Sequence, residues 1–377
     1  MEIDDDVREE LVGYFEHDIG RPPAGARERV LAGLRGAPRP RQDRRLQWAT
    51  GAAAVLLAVL TVAALMVARY GRPPEPAGPT EMPAPRISAA VAYDARRGVL
   101  VVFSGVTAGG AVLDDTWTWD GKRWARQRPA VSPPGLRKGA QMTFDAARGT
   151  LVLTGDPGAT WTWDGRTWAR HATTTLPAPT AGAATTSIAY DPASGAVVGY
   201  VWTPDGGGQT WAWEGTTWRR LQPRTTPDVA QGAMAFDGRR LLLFGTPNGP
   251  VQGQILTETW AWDGAGWTRL SPAVRLPAAA VSAAYDEARH RVVAFVDVPG
   301  GATAASASSE TWEWDGTSWR RDHPLHQPPA RLGPAVQYDS RARRVVLYGG
   351  QTTPVAPLSD VWAWDGSDWS LLEETRR

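Results

Sequence analysis

The chain is expected to fold as an all-β, six-bladed β-propeller of four-stranded blades. Three observations predict it. An eight-residue pattern, Trp-x-Trp-(Asp/Glu)-Gly-x-x-Trp, begins at Trp117, Trp161, Trp211, Trp260, Trp312 and Trp362. An aromatic-Asp pair recurs in step with it, and a short apolar run follows each pair. A unit repeating every 44 to 52 residues points to a closed array of blades, each unable to bury its apolar face alone.

Each Trp pattern reads as a β-hairpin. Trp117 and Trp119 lie two apart and so share one face of a strand. Asp120-Gly121 supplies a turn suited to positive φ, and Trp124 returns on the next strand. A two-residue loop would set Trp124 opposite Trp117, a four-residue loop opposite Trp119, and both registers are open at this stage. The same reading applies to Trp161, Trp163 and Trp168, to Trp211, Trp213 and Trp218, and to Trp260, Trp262 and Trp267. It applies also to Trp312, Trp314 and Trp319, and to Trp362, Trp364 and Trp369. These eighteen residues are nearly all of the twenty tryptophans, so the indoles are the main bulk of the core.

The second motif comprises Tyr93-Asp94, Phe144-Asp145, Tyr190-Asp191, Phe236-Asp237, Tyr285-Asp286 and Tyr338-Asp339. Its Asp is expected to cap the following turn through its own side chain. Runs such as Val99–Phe103, Leu151–Leu153, Leu241–Phe244 and Val345–Tyr348 then suit a strand buried on both faces. The apolar strand is taken as innermost, followed by the two Trp strands, with the Tyr-Asp strand outermost. On that order the sixth blade lacks its outer strand, and the N-terminal strand Ile87–Asp94 closes the ring by supplying it.

These repeats resemble the Kelch family. The resemblance rests on Tyr348-Gly349-Gly350, on the Asp-Thr-Trp-x-Trp-Asp run from Asp115 to Asp120, and on the lead-ins Pro133 to Arg137 and Pro328 to Arg331. It covers residues 86 to about 373, and the glycine doublet is reduced to Ser104-Gly105 and Thr154-Gly155 elsewhere. The resemblance implies a propeller, residues 86–377, that binds a partner. Kelch propellers of the galactose-oxidase type are enzymes, but their radical cofactor needs a cysteine.

The sequence contains no cysteine. Disulfides, cysteine zinc sites and thiol catalysis are therefore excluded. A net charge of +1 gives no bulk field for nucleic acid. No Gly-rich phosphate loop or Gly-x-Ser-x-Gly elbow occurs. Of the histidines, only His323 and His326 are close, and no carboxylate-histidine cluster surrounds them. No catalytic residue, cofactor or metal is expected, and the chain is read as a non-enzyme.

Leu46 to Ala68 is 23 residues without a charge, which spans roughly 34 Å as a helix and suffices for a bilayer. Segment 46–69 is accordingly expected to be one transmembrane helix and 70–85 a Pro-rich stalk. Arg35, Arg39, Arg41, Arg44 and Arg45 precede the span, which orients the N-terminus to the cytoplasm and the propeller outside. Residues 1–45 form the tail, with two short amphipathic helices. Leu11 and Phe15 on the first, and Val30, Leu31 and Leu34 on the second, are a candidate face for a cytoplasmic partner. The layout is similar to bacterial single-pass regulators, including anti-sigma factors.

Strand alternation places the tight Trp and Tyr-Asp turns on one side of the ring. Longer loops fall on the other: Gly105–Leu113, Thr203–Gln209, Thr246–Leu256, Val298–Ser309 and Gln351–Leu358. Binding concentrates on such loops over a rigid scaffold. Arg86, Arg137 and Arg331 each stand eight residues before a Tyr-Asp aspartate and are a candidate basic arc for an acidic ligand. The alternative is that they pair with acids such as Asp115 and Asp360. The function expected is a membrane-anchored surface module for a protein, glycan or cell-envelope partner; the alternative is a transmembrane regulator signalling through the tail.

Overall fold

The structure is a computed structural model. It describes residues 81–136, 139–156, 158–172, 176, 185–248, 256–276, 280–298, 308–352 and 356–374. The tail, the apolar segment 46–69 and stalk residues 70–80 lie outside them, as does Arg137. The propeller belongs to a compact unit, Gly78–Arg377.

Six four-stranded antiparallel sheets make the blades, over residues 90–127, 141–171, 185–220, 229–270, 280–321 and 335–373. In blade one, β1 (Ala90–Asp94) pairs with β2 (Val99–Phe103), β2 with β3 (Thr116–Trp119), and β3 with β4 (Trp124–Gln127). Every other blade keeps this order. Blade six adds a two-stranded ribbon, Gln351–Thr352 with Ala356–Pro357, between its second and third strands.

This order corrects the expected closure. The Tyr-Asp strand is the first strand of its own blade, not the last strand of the preceding one, and blade six is complete without help from the N-terminus. The physical reason is connection length. Only Ala95–Gly98 separate Asp94 from Val99, and the backbone N–H groups of Arg97 and Gly98 both donate to Asp94 O. So short a link forces antiparallel neighbours in one sheet. The much longer stretch 128–140 is what crosses between blades. The six first strands instead touch one another around the ring, blade six meeting blade one.

The open register is also resolved. Trp119 lies opposite Trp124, so the loop is the four residues Asp120–Arg123. The same pairing joins Trp163 to Trp168, Trp213 to Trp218, Trp262 to Trp267, Trp314 to Trp319 and Trp364 to Trp369. Asp120 Oδ1 accepts from the N–H groups of Lys122 and Arg123, and Gly121 takes φ +97°. These paired rings sit 5.2 to 6.2 Å apart and are nearly fully buried. At roughly 150–250 Å² each and about 25 cal/mol/Å², one such ring contributes at most ~4–6 kcal/mol of burial.

The Asp-Thr-Trp-x-Trp-Asp run thereby acquires a meaning residue by residue. The threonine binds the next blade: Thr116 Oγ1 accepts from Trp168 Nε1 at 3.0 Å, Thr160 from Trp218 at 2.9 Å, Thr210 from Trp267 at 2.9 Å and Thr311 from Trp369 at 2.8 Å. At the seam between blades six and one the position is Val361, and Trp124 Nε1 is buried without an acceptor. There Tyr348 packs against Trp124 at 5.5 Å, and the Tyr93 hydroxyl of blade one donates to Asp339 Oδ1 of blade six at 2.6 Å.

Candidate binding surfaces

The two ends of the ring differ in construction. At the tight-turn end each aspartate of the Tyr-Asp motif caps its turn, as the sequence predicts: Asp94 Oδ1 accepts from Arg97 N, Asp145 Oδ1 from Arg148 N, and Asp286 Oδ1 from Ala288 N and Arg289 N. In blades one, two and five an arginine three residues on then folds back and reaches the next blade. Arg97 Nη1 donates to Asp94 Oδ2 at 2.6 Å, and its Nη2 donates to the carbonyl of Asp164 in blade two. Arg148 bonds Asp145 at 2.9 Å and lies over Gly215 of blade three, where a Cβ would stand 2.5 Å from its Nε. Arg289 pairs with Asp286 and covers Gly366 of blade six in the same way. These glycines serve a second purpose besides their positive φ: they make room for a neighbouring guanidinium. Sequence reasoning missed this latch, although its signal, Asp-x-x-Arg, is present at Asp94, Asp145, Asp237 and Asp286.

Two residues of the candidate basic arc are described, and both have buried guanidinium groups in bidentate pairs. Arg86 bonds Asp115 at 2.5 and 3.1 Å and the Ser104 carbonyl at 3.0 Å. Arg331 bonds Asp360 at 2.7 and 2.9 Å and the Gly349 carbonyl at 3.0 Å. Both are at most 2% exposed. Of the two readings offered by the sequence, the pair with Asp115 and Asp360 is the geometry these arginines adopt, and an acidic ligand would have to compete with it. The Asp115 carboxyl is held below the usual carboxylate range: burial opposes ionisation, but the Arg86 and Trp117 hydrogen bonds outweigh it.

The same aspartates anchor the first indole of the hairpin. Trp117 Nε1 donates to Asp115 at 2.7 Å, and Trp362 Nε1 to Asp360 at 2.8 Å. Glu258 and Glu310 do this for Trp260 and Trp312. Directly across the sheet stands an arginine of the outer strand. Arg269 pairs with Glu258 at 2.6 Å and Arg321 with Glu310 at 2.9 Å, and both are about half exposed. The signal in sequence is Trp-x-Arg after each hairpin, lost only in blade six, where Leu371 takes the place.

At the opposite end, Gly105–Leu113 forms a small ordered loop. Val106 bridges to both Ile87 and Val112, and Ser104 Oγ binds the Leu113 carbonyl while accepting from Leu136 N. Gly105 is obligatory there, since at φ +108° a Cβ would meet Ile87 O at 2.9 Å. The expected long loop Thr203–Gln209 is instead a tight hairpin: strands Ala196–Thr203 and Gly207–Trp213 continue up to it. Its glycines allow a turn where loop composition suggested an excursion. Parts of the other three loops, 249–255, 299–307 and 353–355, lie outside the described residues.

Among the described residues the histidines do not cluster. His326 pairs with Asp368 at 2.6 Å, His290 meets Tyr285, and His171 packs on Trp213 with its pKa lowered by burial. Among the described residues no group of three His, Asp or Glu side chains could hold a metal ion. The Asp322 carboxyl is pushed up to about 6 by burial, then by the nearby Glu313 charge, and it pairs with Arg320.

Blades of four strands closed into a ring of six define the class: a six-bladed β-propeller similar to fucose-binding lectin propellers. Solved structures alike in fold include the SapL1 lectin in complex with α-methyl fucoside, with a TM-score of 0.51 and 17% identity over 79% of this chain and 98% of that one. YjhT aligns with a TM-score of 0.52 and 14% identity, covering 77% and 98%. An arginine-to-alanine triple mutant of AofleA from Arthrobotrys oligospora aligns with a TM-score of 0.50 and 13% identity, covering 77% and 86%. At such identities the likeness is one of fold. No family model matches the sequence, and no curated protein matches it.

Proposed function

We propose that the protein is a non-enzymatic binding module whose variable-loop face engages a glycan, or a glycan-bearing partner of the cell envelope. The observation that carries this reading is the asymmetry of the ring. Asp–Arg latches stitch three of the six seams at the tight-turn end, whereas the other end carries loops of differing length over a rigid scaffold. The glycan class draws support from the fold shared with a lectin that holds α-methyl fucoside. In this reading the blades are divergent Kelch-like repeats, segment 46–69 is a single membrane span, the tail 1–45 is cytoplasmic and the propeller is extracytoplasmic.

A second reading makes the protein a transmembrane regulator. The apolar spacing of Leu11, Phe15, Val30, Leu31 and Leu34 supports it, since a mere anchor needs no such face. A pull-down from native membranes, with the full chain and a version lacking residues 2–40, separates the two. A cytoplasmic partner lost only with the deletion selects the regulator. Recovery of the same envelope components by both versions, with binding to immobilised glycans, selects the surface module. Absence of glycan binding by the full chain, with the propeller folded, overturns the lectin-like reading.

A further inference from the structure

At one seam of the tight-turn end the motif aspartate lacks an arginine altogether. Of the six aspartates in the Tyr-Asp motif, five have an arginine within 4.0 Å, and Asp191 alone has no ion pair among the described residues. The residue three positions after it is Ser194, where blades one, two and five carry the latch arginines 97, 148 and 289. Ser194 Oγ donates to Asp191 Oδ2 at 2.7 Å, the oxygen whose counterparts in those blades receive a guanidinium. Asp191 as a whole is 3% exposed. Across the seam, Gly264 of blade four, like Gly121 and Gly316, has nothing within 4 Å of a Cβ position, whereas Gly165, Gly215 and Gly366 are each covered by an arginine. The vacancy is real space: a cleft of about 310 Å³ opens between blades three and four, with Ser194 and Gly264 on its lining.

We infer that this cleft is a site for a guanidinium group, supplied from outside to complete the missing latch. Trp213 and Trp262 lie on its lining, each at most 4% exposed. By the repeat, the positions of the acceptors used by Arg97 are held here by Asp191, whose Oδ2 lies beneath the lining residue Ser194, and by Asp263, next to the lining residue Gly264. The two cations at the rim are already occupied: Arg219 pairs with Glu214 at 2.6 Å and Arg148 with Asp145 at 2.9 Å. The volume lies at the small end of ligand sites, which fits one side chain or one small molecule. The site lies at the opposite end of the ring from the variable loops and does not depend on the function proposed above.

The test is calorimetric titration of the full-length chain with methylguanidinium, and with the peptide Gly-Gly-Arg-Gly-Gly beside its citrulline counterpart. Saturable binding of methylguanidinium, and of the arginine but not the citrulline peptide, is expected. A peptide at least about tenfold tighter than methylguanidinium identifies a polypeptide side chain as the ligand; equal affinities identify a small guanidinium compound. Ser194→Arg supplies the latch in cis and is expected to weaken binding at least about tenfold while raising Tm. Asp191→Asn keeps the turn cap but removes the charge, so it tests the site even if Ser194→Arg folds poorly. No saturable binding by the wild-type chain overturns the inference. So does equal binding of the citrulline peptide, or affinity unchanged in Asp191→Asn.

Discussion

Replacing Arg331 by methionine is expected to be among the most damaging single changes in the propeller. The guanidinium makes four hydrogen bonds: two to Asp360, one to the Gly349 carbonyl and one from Nε to the Pro329 carbonyl. Methionine keeps much of the apolar stem and removes all four. Asp360 is then left in a site where its side chain is only 10% exposed, with Trp362 Nε1 as its remaining side-chain donor. Stranding one member of a buried pair costs ~3–5 kcal/mol. At a urea m-value of ~3 kcal/mol/M, that lowers the unfolding midpoint by ~1–2 M. The double variant Arg331→Met/Asp360→Leu removes the stranded charge and is expected to recover part of the loss, leaving ~1–2 kcal/mol for the orphaned carbonyls and the Trp362 indole N–H. Urea titration followed by tryptophan fluorescence measures both. A single-variant cost under ~1 kcal/mol, the range of an exposed pair, would refute the structural role of Arg331 and reopen its place in a ligand arc.

Val361→Thr is expected to stabilise the chain by up to ~1 kcal/mol, because it offers Trp124 Nε1 the acceptor found at the other seams; a lowered Tm in calorimetry counts against that account. The converse change, Thr210→Val, strands Trp267 Nε1 and is expected to cost ~1–2 kcal/mol by urea titration. Asp322 sets a pH dependence. Its folded pKa of about 6 lies above the ordinary 3.8, so between those values the folded state holds a proton that the unfolded state has released, and stability falls as pH rises through this window. Asp322→Asn is expected to flatten that slope, and urea midpoints of both proteins between about pH 4 and about pH 6.5 check it.

Much of this was legible in the chain. The six hairpins, their capped turns and the all-β class follow from local rules: period-two placement of indoles, Asp-Gly turns, and apolar runs too long for a half-exposed strand. The strand order was legible too, in the four-residue link Ala95–Gly98, and misassigning Asp94's strand to a neighbouring blade overlooked what so short a connection permits. The Thr203–Gln209 turn misled for a different reason, since glycine-rich composition describes a loop and a tight hairpin equally well.

The sequence by itself determined the repeat, its number of copies, the hairpin chemistry and the exclusion of thiol and disulfide chemistry. These depend on residues near one another along the chain. Only the tertiary structure decided the partners of side chains that act across blades. Arg97 looks like any turn arginine until its guanidinium is seen at Asp164, and Ser194 looks unremarkable until the seam it leaves open is compared with its sisters. Thr116 and Val361 likewise differ in consequence only because an indole from the next blade arrives beside them. Such pairings are fixed by ring geometry, which brings residues roughly fifty positions apart into contact, and no local preference records them.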